Sequence, residues 1–206
     1  ITESTGGDSG EFAITQDDPF NQSRIAPRIA ALDDGGFVVT WSGFGAGDSD
    51  VFATIFDAAG SSVQTFQVNA DDPDLQYDDQ QAVAQLEDGN LAFVWRNLDA
   101  FSLAEDVVVR LFAPEGAPIT GELVVESVFS SIPETLRPQV APFGDGFVTI
   151  WTAQPLFDFS SDVFGQVLDA SGQEIGGVFQ VSAPGLPGGM HVARSGSVAE
   201  LADGGF

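Results

Sequence analysis

The sequence predicts an all-β protein: a β-propeller or propeller-like array of four-stranded antiparallel blades, with three complete repeats and a partial repeat at each end. The first observation is a repeat marked by Trp41, Trp95 and Trp151, which lie 54 and 56 residues apart and close the segments GFVVTW, NLAFVW and GFVTIW. The second is the alternation of apolar and polar residues inside each repeat, which is typical of strands. A repeat of this length has the size of a propeller blade, whereas separate β-sandwich domains need about 100 residues each.

Four strands, a to d, are expected in the first repeat, at 28–32, 37–43, 51–57 and 65–70. An Asp-Val pair marks the start of strand c at 50–51, 106–107 and 162–163. The turn segments DAAG, APEG and DASG then separate c from d, and TFQVNA, ELVVES and VFQVSA close the repeats. The period-2 pattern places alternate residues of strand b on one face, the predicted packing surface between neighbouring sheets: Phe37, Val39, Trp41; Leu91, Phe93, Trp95; and Phe147, Thr149, Trp151.

The chain divides into one repeat domain, 1–206, with complete repeats at 17–70, 71–127 and 128–183. The segment GEFAIT matches strand d of a preceding repeat, within 1–16, and SVAELADGGF matches the start of a following one, within 184–206. Unpaired strand edges at both ends would promote aggregation. We therefore expect a piece of a longer tandem array, with further repeats of the same chain as partners, or a ring in which the two ends share one blade.

The composition limits the functional classes. Thirty-one Asp and Glu against six Lys and Arg give a formal charge of -25 over 206 residues, which disfavours nucleic-acid binding. The absence of cysteine excludes disulfides and thiolate metal sites. No apolar run is long enough to span a membrane as a helix, so no membrane insertion is expected.

The phrases IAALDDGGFVVTWSG, DVFATIFDAAG and TFQVNA resemble the tandem repeats of large secreted bacterial proteins of the RTX, hemolysin-type calcium-binding kind. The resemblance covers residues 10–206. It implies a secreted or cell-surface location, calcium-rich surroundings and a repeat appended to adhesins, surface proteins or secreted enzymes. The glycine-aspartate nonapeptides that bind calcium in that group are absent, so their ligands are not transferred to any residue here.

Functional residues are expected in the variable b-c and d-a loops, which a four-stranded meander places on the face opposite the short a-b and c-d turns. Aspartate and glycine in those turns have a structural explanation, because glycine adopts positive φ and aspartate closes its own turn. The b-c loops carry aromatic residues that either cap the core at the blade rim or contact a partner: Phe44, Phe101, Phe157 and Phe159.

The d-a connection NADDPDLQYDD, at 69–79, concentrates carboxylates, and GDSD at 47–50 adds more on the same face. Calcium takes six to eight oxygen ligands, which a short aspartate-rich loop can supply. Calcium is therefore one expected ligand, and a solvated acidic loop is the alternative. The candidate ligands are Asp48, Asp50, Asp71, Asp72, Asp74, Asp78 and Asp79.

No catalytic motif stands out. His191 is the only histidine, which excludes a multi-histidine metal centre, and no G-x-S-x-G elbow or phosphate-binding loop is present. We therefore expect no enzyme, but a non-catalytic extracellular structural or adhesive module that binds another protein, a glycan or a neighbouring subunit. The alternative is a propeller scaffold of a secreted hydrolase that acts on polysaccharide, using paired carboxylates.

Overall fold

A computed structural model describes residues 23–45, 48–70, 76–99, 102, 104–129, 136–153, 161–182, 197–199, 201 and 205–206. These residues form an all-β fold, and no helix among them is long and apolar enough to cross a membrane. The strands are β1 (Ser23–Ala31), β2 (Phe37–Gly45), β3 (Asp48–Phe56), β4 (Ser62–Gln67), β5 (Gln76–Gln85), β6 (Leu91–Asp99), β7 (Ala104–Phe112), β8 (Leu123–Phe129), β9 (Gln139–Phe143), β10 (Gly146–Ala153), β11 (Asp162–Leu168) and β12 (Glu174–Gln180).

The strands form three antiparallel meanders of four: β1 to β4, β5 to β8 and β9 to β12. We call them the first, second and third blades. The first two are joined into one continuous sheet only by a single parallel pair, Ser49 of β3 with Tyr77 of β5. The first strands of the blades lie side by side, β1 against β5 and β5 against β9. This arrangement confirms the predicted all-β fold of four-stranded blades.

The predicted strands of the first repeat exist, but their bounds differ. Strand a begins at Ser23 instead of 28, because the chain stays paired with β2 across an irregularity in register. Strands b and c extend towards each other to Gly45 and Asp48. Strand d was predicted too late: it runs from Ser62 to Gln67, and Val68 continues only through one hydrogen bond to the Val51 carbonyl. The repeat boundaries stay a prediction.

The cores lie between blades, as the strand-b pattern predicts. Leu91, Phe93 and Trp95 of the second blade pack against the first blade, in a buried cluster that includes Val38 and Val51. Phe147 and Trp151 of the third blade pack in the same way on Ala92, Val94 and Val107 of the second blade. Burial of this apolar area is the main force that stacks the blades, since each blade alone would expose one apolar face.

The turns follow the predicted chemistry. Gly35, Gly60 and Gly89 adopt φ values of 86°, 79° and 86°. Asp57 Oδ1 accepts hydrogen bonds from the Ala59 and Ser61 amides at 2.9 and 2.8 Å, which closes its own turn. The aspartates and glycines of these turns therefore have the structural role expected from the sequence.

The first strands of the first and second blades, β1 and β5, each contain a bulge that the sequence did not reveal. Two residues of β1 stand opposite Trp41, and two residues of β5 stand opposite Trp95, at the points where the register shifts. The first residue of each bulge has positive φ, and so does the equivalent residue just before β9: Ala26 at 52°, Gln80 at 54° and Arg137 at 36°. The bulge is therefore part of the repeat itself.

The described residues near position 206 contact the third blade. The Leu201 amide donates to the Gly205 carbonyl at 2.7 Å, as Leu32 donates to Gly36 at 2.9 Å in the first turn. The Phe206 ring lies 5.0 Å from the Phe143 ring centroid. The match of SVAELADGGF to the start of a blade stays a prediction, and GEFAIT lies outside the described residues.

Candidate functional site

A pair of side-chain hydrogen bonds, which we call the scaffold tie, joins the start of strand c to the residue after strand d. It is found in the first and third blades. In the first blade, Asn69 Oδ1 accepts from the Val51 amide at 3.0 Å, and Asn69 Nδ2 donates to Asp50 Oδ1 at 2.9 Å. In the third blade, Ser182 Oγ accepts from the Val163 amide at 3.1 Å and donates to Asp162 Oδ1 at 2.7 Å. The repeated Asp-Val pair therefore has a scaffold role, in which the aspartate anchors the residue that follows strand d.

The middle repeat departs from its neighbours at this same end. Five of its positions carry charged or amide side chains where both other repeats have no acidic residue. They are Asp78 (Arg24 and Thr135 in the first and third repeats), Asp79 (Ile25, Leu136), Arg96 (Ser42, Thr152), Asn97 (Gly43, Ala153) and Glu105 (Ser49, Ser161). Since the scaffold is shared, the residues found in only one repeat are the best candidates for function.

Asp78 lies at the seam between the first and second blades and is only 4% exposed. Its Oδ1 accepts from Trp95 Nε1 at 2.8 Å and from Asn97 Nδ2 at 2.9 Å, both in its own blade. Its Oδ2 accepts from Asn69 Nδ2 of the first blade at 2.8 Å. The Ser49 hydroxyl donates to the Asp78 backbone carbonyl at 3.1 Å. One carboxyl thus joins two blades through side-chain donors from both.

Burial raises the pKa of Asp78 from 3.8 to about 7. Desolvation is the largest cause, and the negative charges of Glu122 and Asp50 raise the pKa further. The hydrogen bonds from Asn97 and Trp95 act in the opposite direction because they favour the carboxylate, but they do not offset the desolvation. Asp78 therefore exchanges a proton near neutral pH, which an ordinary aspartate does not.

Asp79, the next residue, takes part in a buried ion cluster on the other face of the blade. Arg96 Nε and Nη2 donate to the two carboxylate oxygens of Asp79, each at 2.7 Å. Arg96 Nη1 donates to Glu105 Oε1 at 3.1 Å. Arg96 and Glu105 are 3% and 1% exposed, and these contacts raise the pKa of Arg96 despite its burial. The guanidinium is therefore held as a permanent cation between two carboxylates.

The predicted calcium ligands divide into three groups. Asp71, Asp72 and Asp74 lie outside the described residues. Asp78 and Asp79 are engaged by the donors described above, so the alternative of a solvated acidic loop is wrong for Asp78. Asp50 belongs to the scaffold tie, and Asp48 pairs with Gly45 at the β2–β3 hairpin. The described residues contain no group of three or more potential metal ligands, and calcium stays a prediction.

The predicted aromatic contact surface is described only at Phe44, which is half-buried and pairs with Ser23 and Ser49 at the end of β2. Phe101, Phe157 and Phe159 lie outside the described residues. The choice between a core cap and a partner surface therefore stays open. The predicted grouping of loops is confirmed, because Asn69 and Asp78 of the d-a connection meet Asn97 at the end of strand b.

The opposite face, formed by the turns, carries a concave region of about 540 Å³ between the first two blades. Its walls combine apolar residues with six carboxylates from the turns: Asp33, Asp34, Asp57, Glu87, Asp88 and Glu115. Asp34, Asp57 and Asp88 accept hydrogen bonds from backbone amides of their own turns. These carboxylates are therefore explained by turn formation.

No protein-family model matches the sequence, and no curated protein matches it. Solved structures do match. An endo-arabinase from Bacteroides thetaiotaomicron is 11% identical, with a TM-score of 0.57 over 79% of this chain and 63% of that one. An N-acetylgalactosamine deacetylase from F. plautii is 8% identical, with a TM-score of 0.55 over 78% and 53%. A GH43 endo-arabinanase from Bacillus licheniformis is 14% identical, with a TM-score of 0.50 over 79% and 60%.

These comparisons correct three expectations. The RTX-type resemblance is wrong, because the structural matches are β-propeller glycoside hydrolases instead. The expected non-catalytic structural or adhesive module and the expectation of no enzyme are also wrong, since the matched proteins are enzymes that act on carbohydrate. The chain spans between about half and two thirds of the length of these structures. At 8–14% identity, the likeness establishes a β-propeller type of fold.

Proposed function

We propose that this chain is the propeller portion of a secreted enzyme that cleaves extracellular polysaccharide, with Asp78 as its acid. The observation that carries the proposal is a buried carboxyl whose pKa is about 7, found in only one of three repeats. The fold supports it, because an endo-arabinase, an endo-arabinanase and a carbohydrate deacetylase have a similar structure. The polysaccharide class and the extracellular location both belong to the proposal.

Glycoside hydrolysis uses two carboxyl groups, one protonated and one ionised. Asp78 meets the first requirement near neutral pH, because a carboxyl with a pKa of about 7 is protonated there in a large fraction of molecules. Asp50 is the proposed second group. Asp50 Oδ1 and Asp78 Oδ2 both accept from Asn69 Nδ2, at 2.9 and 2.8 Å, so they are no farther apart than those two bonds allow. A separation of about 5–5.5 Å suits a carboxylate that attacks the sugar directly, whereas a wider one leaves room for water.

A glycan substrate also fits the charge of the chain. With a formal charge of -25, the surface repels polyanions but not neutral sugars. Glycan binding is the part of the predicted partner set that the structural comparisons favour. Binding to another protein or to a neighbouring subunit stays a prediction.

The test is turnover of a panel of polysaccharides, starting with arabinan, measured as release of reducing ends. We expect Asp78→Asn to lower kcat about 100-fold or more, the range typical of a lost general acid. Asp50→Asn should do the same. The matched control is Asp162→Asn, which removes the equivalent scaffold carboxylate of the third blade, a blade that supplies none of the donors described for Asp78.

The result that would contradict the proposal is full activity of Asp78→Asn, or no turnover of any glycan by the complete natural protein. Thermal melting of each variant separates a loss of chemistry from a loss of fold. A variant that melts with the wild type and has lost turnover supports the catalytic role.

A further inference from the structure

The further inference concerns Asn69, which belongs to the scaffold tie and also contacts Asp78. The Val51 amide donates to Oδ1 of Asn69. Of the two polar atoms in this side-chain amide, only the oxygen can accept a hydrogen bond. The amide orientation that follows turns Nδ2 towards the carboxylates of Asp50 and Asp78, at 2.9 and 2.8 Å. The two hydrogens of one NH₂ group are thus shared between a carboxylate of the first blade and one of the second.

The third repeat shows which of these bonds belong to the scaffold. Ser182 occupies the position equivalent to Asn69, and its hydroxyl makes both scaffold bonds, to the Val163 amide and Asp162. A weaker hydrogen bond is also repeated. Gln67 Nε2 donates to Asn69 Oδ1 at 3.4 Å, and Gln180 Nε2 donates to Ser182 Oγ at the same distance. A serine therefore suffices for the tie. The bond that asparagine adds is the one to Asp78.

We infer that Asn69 is a positioning residue, which holds the Asp78 carboxyl at a fixed distance from Asp50 across the seam between the first two blades. The inference rests on the proposed function of this pair. Asn69 makes no contact with the reacting bond in this role. It acts by restricting the orientation of Asp78, together with Trp95 and Asn97, which hold the other oxygen. Small displacements of a reacting group reduce rates strongly, so a lost restraint is expected to lower kcat and leave KM unchanged.

The experiment uses the substitution that the chain itself supplies. Asn69→Ser keeps the two scaffold bonds seen at Ser182 and removes only the bond to Asp78. Ser182→Asn is the matched control, because it places the same amide beside Asp162 on the third blade, which supplies none of the donors described for Asp78. Asn69→Ala removes the scaffold bonds and the seam bond together and shows what their combined loss does to melting.

Two readouts are measured on the complete protein. Side-chain carboxyl NMR follows the titration of Asp78, and steady-state kinetics follow kcat and KM. For Asn69→Ser we expect a melting temperature above that of Asn69→Ala, because the scaffold bonds remain. We also expect an Asp78 titration midpoint about one pH unit higher, because a donor to the carboxylate is lost, and a kcat at least about tenfold lower. Ser182→Asn should change neither readout.

An unchanged Asp78 titration in Asn69→Ser overturns the inference, whatever the activity of the wild type. An unchanged kcat in Asn69→Ser, while Asp78→Asn is inactive, also overturns it. If the wild type turns over no glycan and the titration still shifts, the proposed function fails and the hydrogen-bond tie stands. The two failures are therefore distinguishable.

Discussion

Trp95 Nε1 donates to Asp78 Oδ1 at 2.8 Å, whereas Trp41 Nε1, at the same position of the preceding repeat, meets no acceptor within the described part of the chain. Both indoles are buried. The position equivalent to Asp78 in the first repeat is Arg24, which offers no acceptor on its side chain. The tryptophan therefore has a role in packing in both repeats and, in the second blade but not in the first, an additional role as a donor.

This difference predicts unequal costs for the same substitution. Trp95→Phe removes a donor from a buried carboxyl and should lower the free energy of unfolding by about 1–3 kcal/mol more than Trp41→Phe, which loses a similar ring area but no hydrogen bond. Urea unfolding of the two variants measures the difference. Equal losses would show that the Trp95 bond contributes nothing to stability.

The stability should depend on pH through Asp78. Its pKa is 3.8 when unfolded and about 7 when folded, so the folded state binds more protons between these values. The free energy of unfolding therefore falls as pH rises from about 4 to 7, by roughly 1.4 kcal/mol per pH unit at most, and is level above that range. Melting of the wild type and of Asp78→Asn from pH 4 to 8 measures the difference in slope. A parallel pair of curves would contradict the raised pKa.

The ion cluster around Arg96 should be sensitive to the loss of its cation. Arg96→Met leaves the buried Glu105 and the partly buried Asp79 without their counter-charge and should cost about 3 kcal/mol. Arg28→Met is the control, because Arg28 is exposed and its guanidinium bonds only the adjacent Pro27 carbonyl among the hydrogen bonds described. Chemical denaturation at pH 7 compares the two. A similar small loss in both variants would show that the cluster is not stabilising.

Gly116 should tolerate alanine poorly. Its φ is 87°, and a Cβ there would lie 2.8 Å from the Phe66 ring, which packs against Phe93 and Phe112. We expect Gly116→Ala to cost at least about 1–2 kcal/mol from the backbone conformation alone. Gly121→Ala, where a Cβ meets nothing within 4 Å, should be close to neutral. Thermal melting gives the comparison, and equal melting temperatures would contradict it.

The fold could be predicted largely from the sequence because its signals are local and repeated. Trp41, Trp95 and Trp151 mark the period, and alternation along strand b identifies the face that, in the second and third blades, packs on the preceding blade. The bounds of strand a could not be predicted, because the bulge at Ala26 interrupts the alternation while the pairing continues.

The site was predictable only in part. Aspartates 78 and 79 were selected as loop carboxylates for calcium, but both lie within β5 and have protein partners. Asn69 is a partner of Asp78, and Arg96 is a partner of Asp79. These pairs are separated in the sequence, so a local sequence pattern does not predict them. One available signal was missed: aligning the three repeats shows that Arg96 and Glu105 replace small uncharged residues. Comparison between repeats would have identified the cluster.

The bulge of β5 also determines on which side of the blade Asp78 and Asp79 lie. Val83 faces the first blade, so uninterrupted alternation would send Asp79 to that side and Asp78 to the other. The additional residue at Gln80 exchanges these directions, so that Asp78 lies towards the first blade and Asp79 lies on the opposite side, beside Arg96. Removing Gln80 should therefore exchange the sides of the blade on which Asp78 and Asp79 lie, while the composition of the strand stays nearly the same.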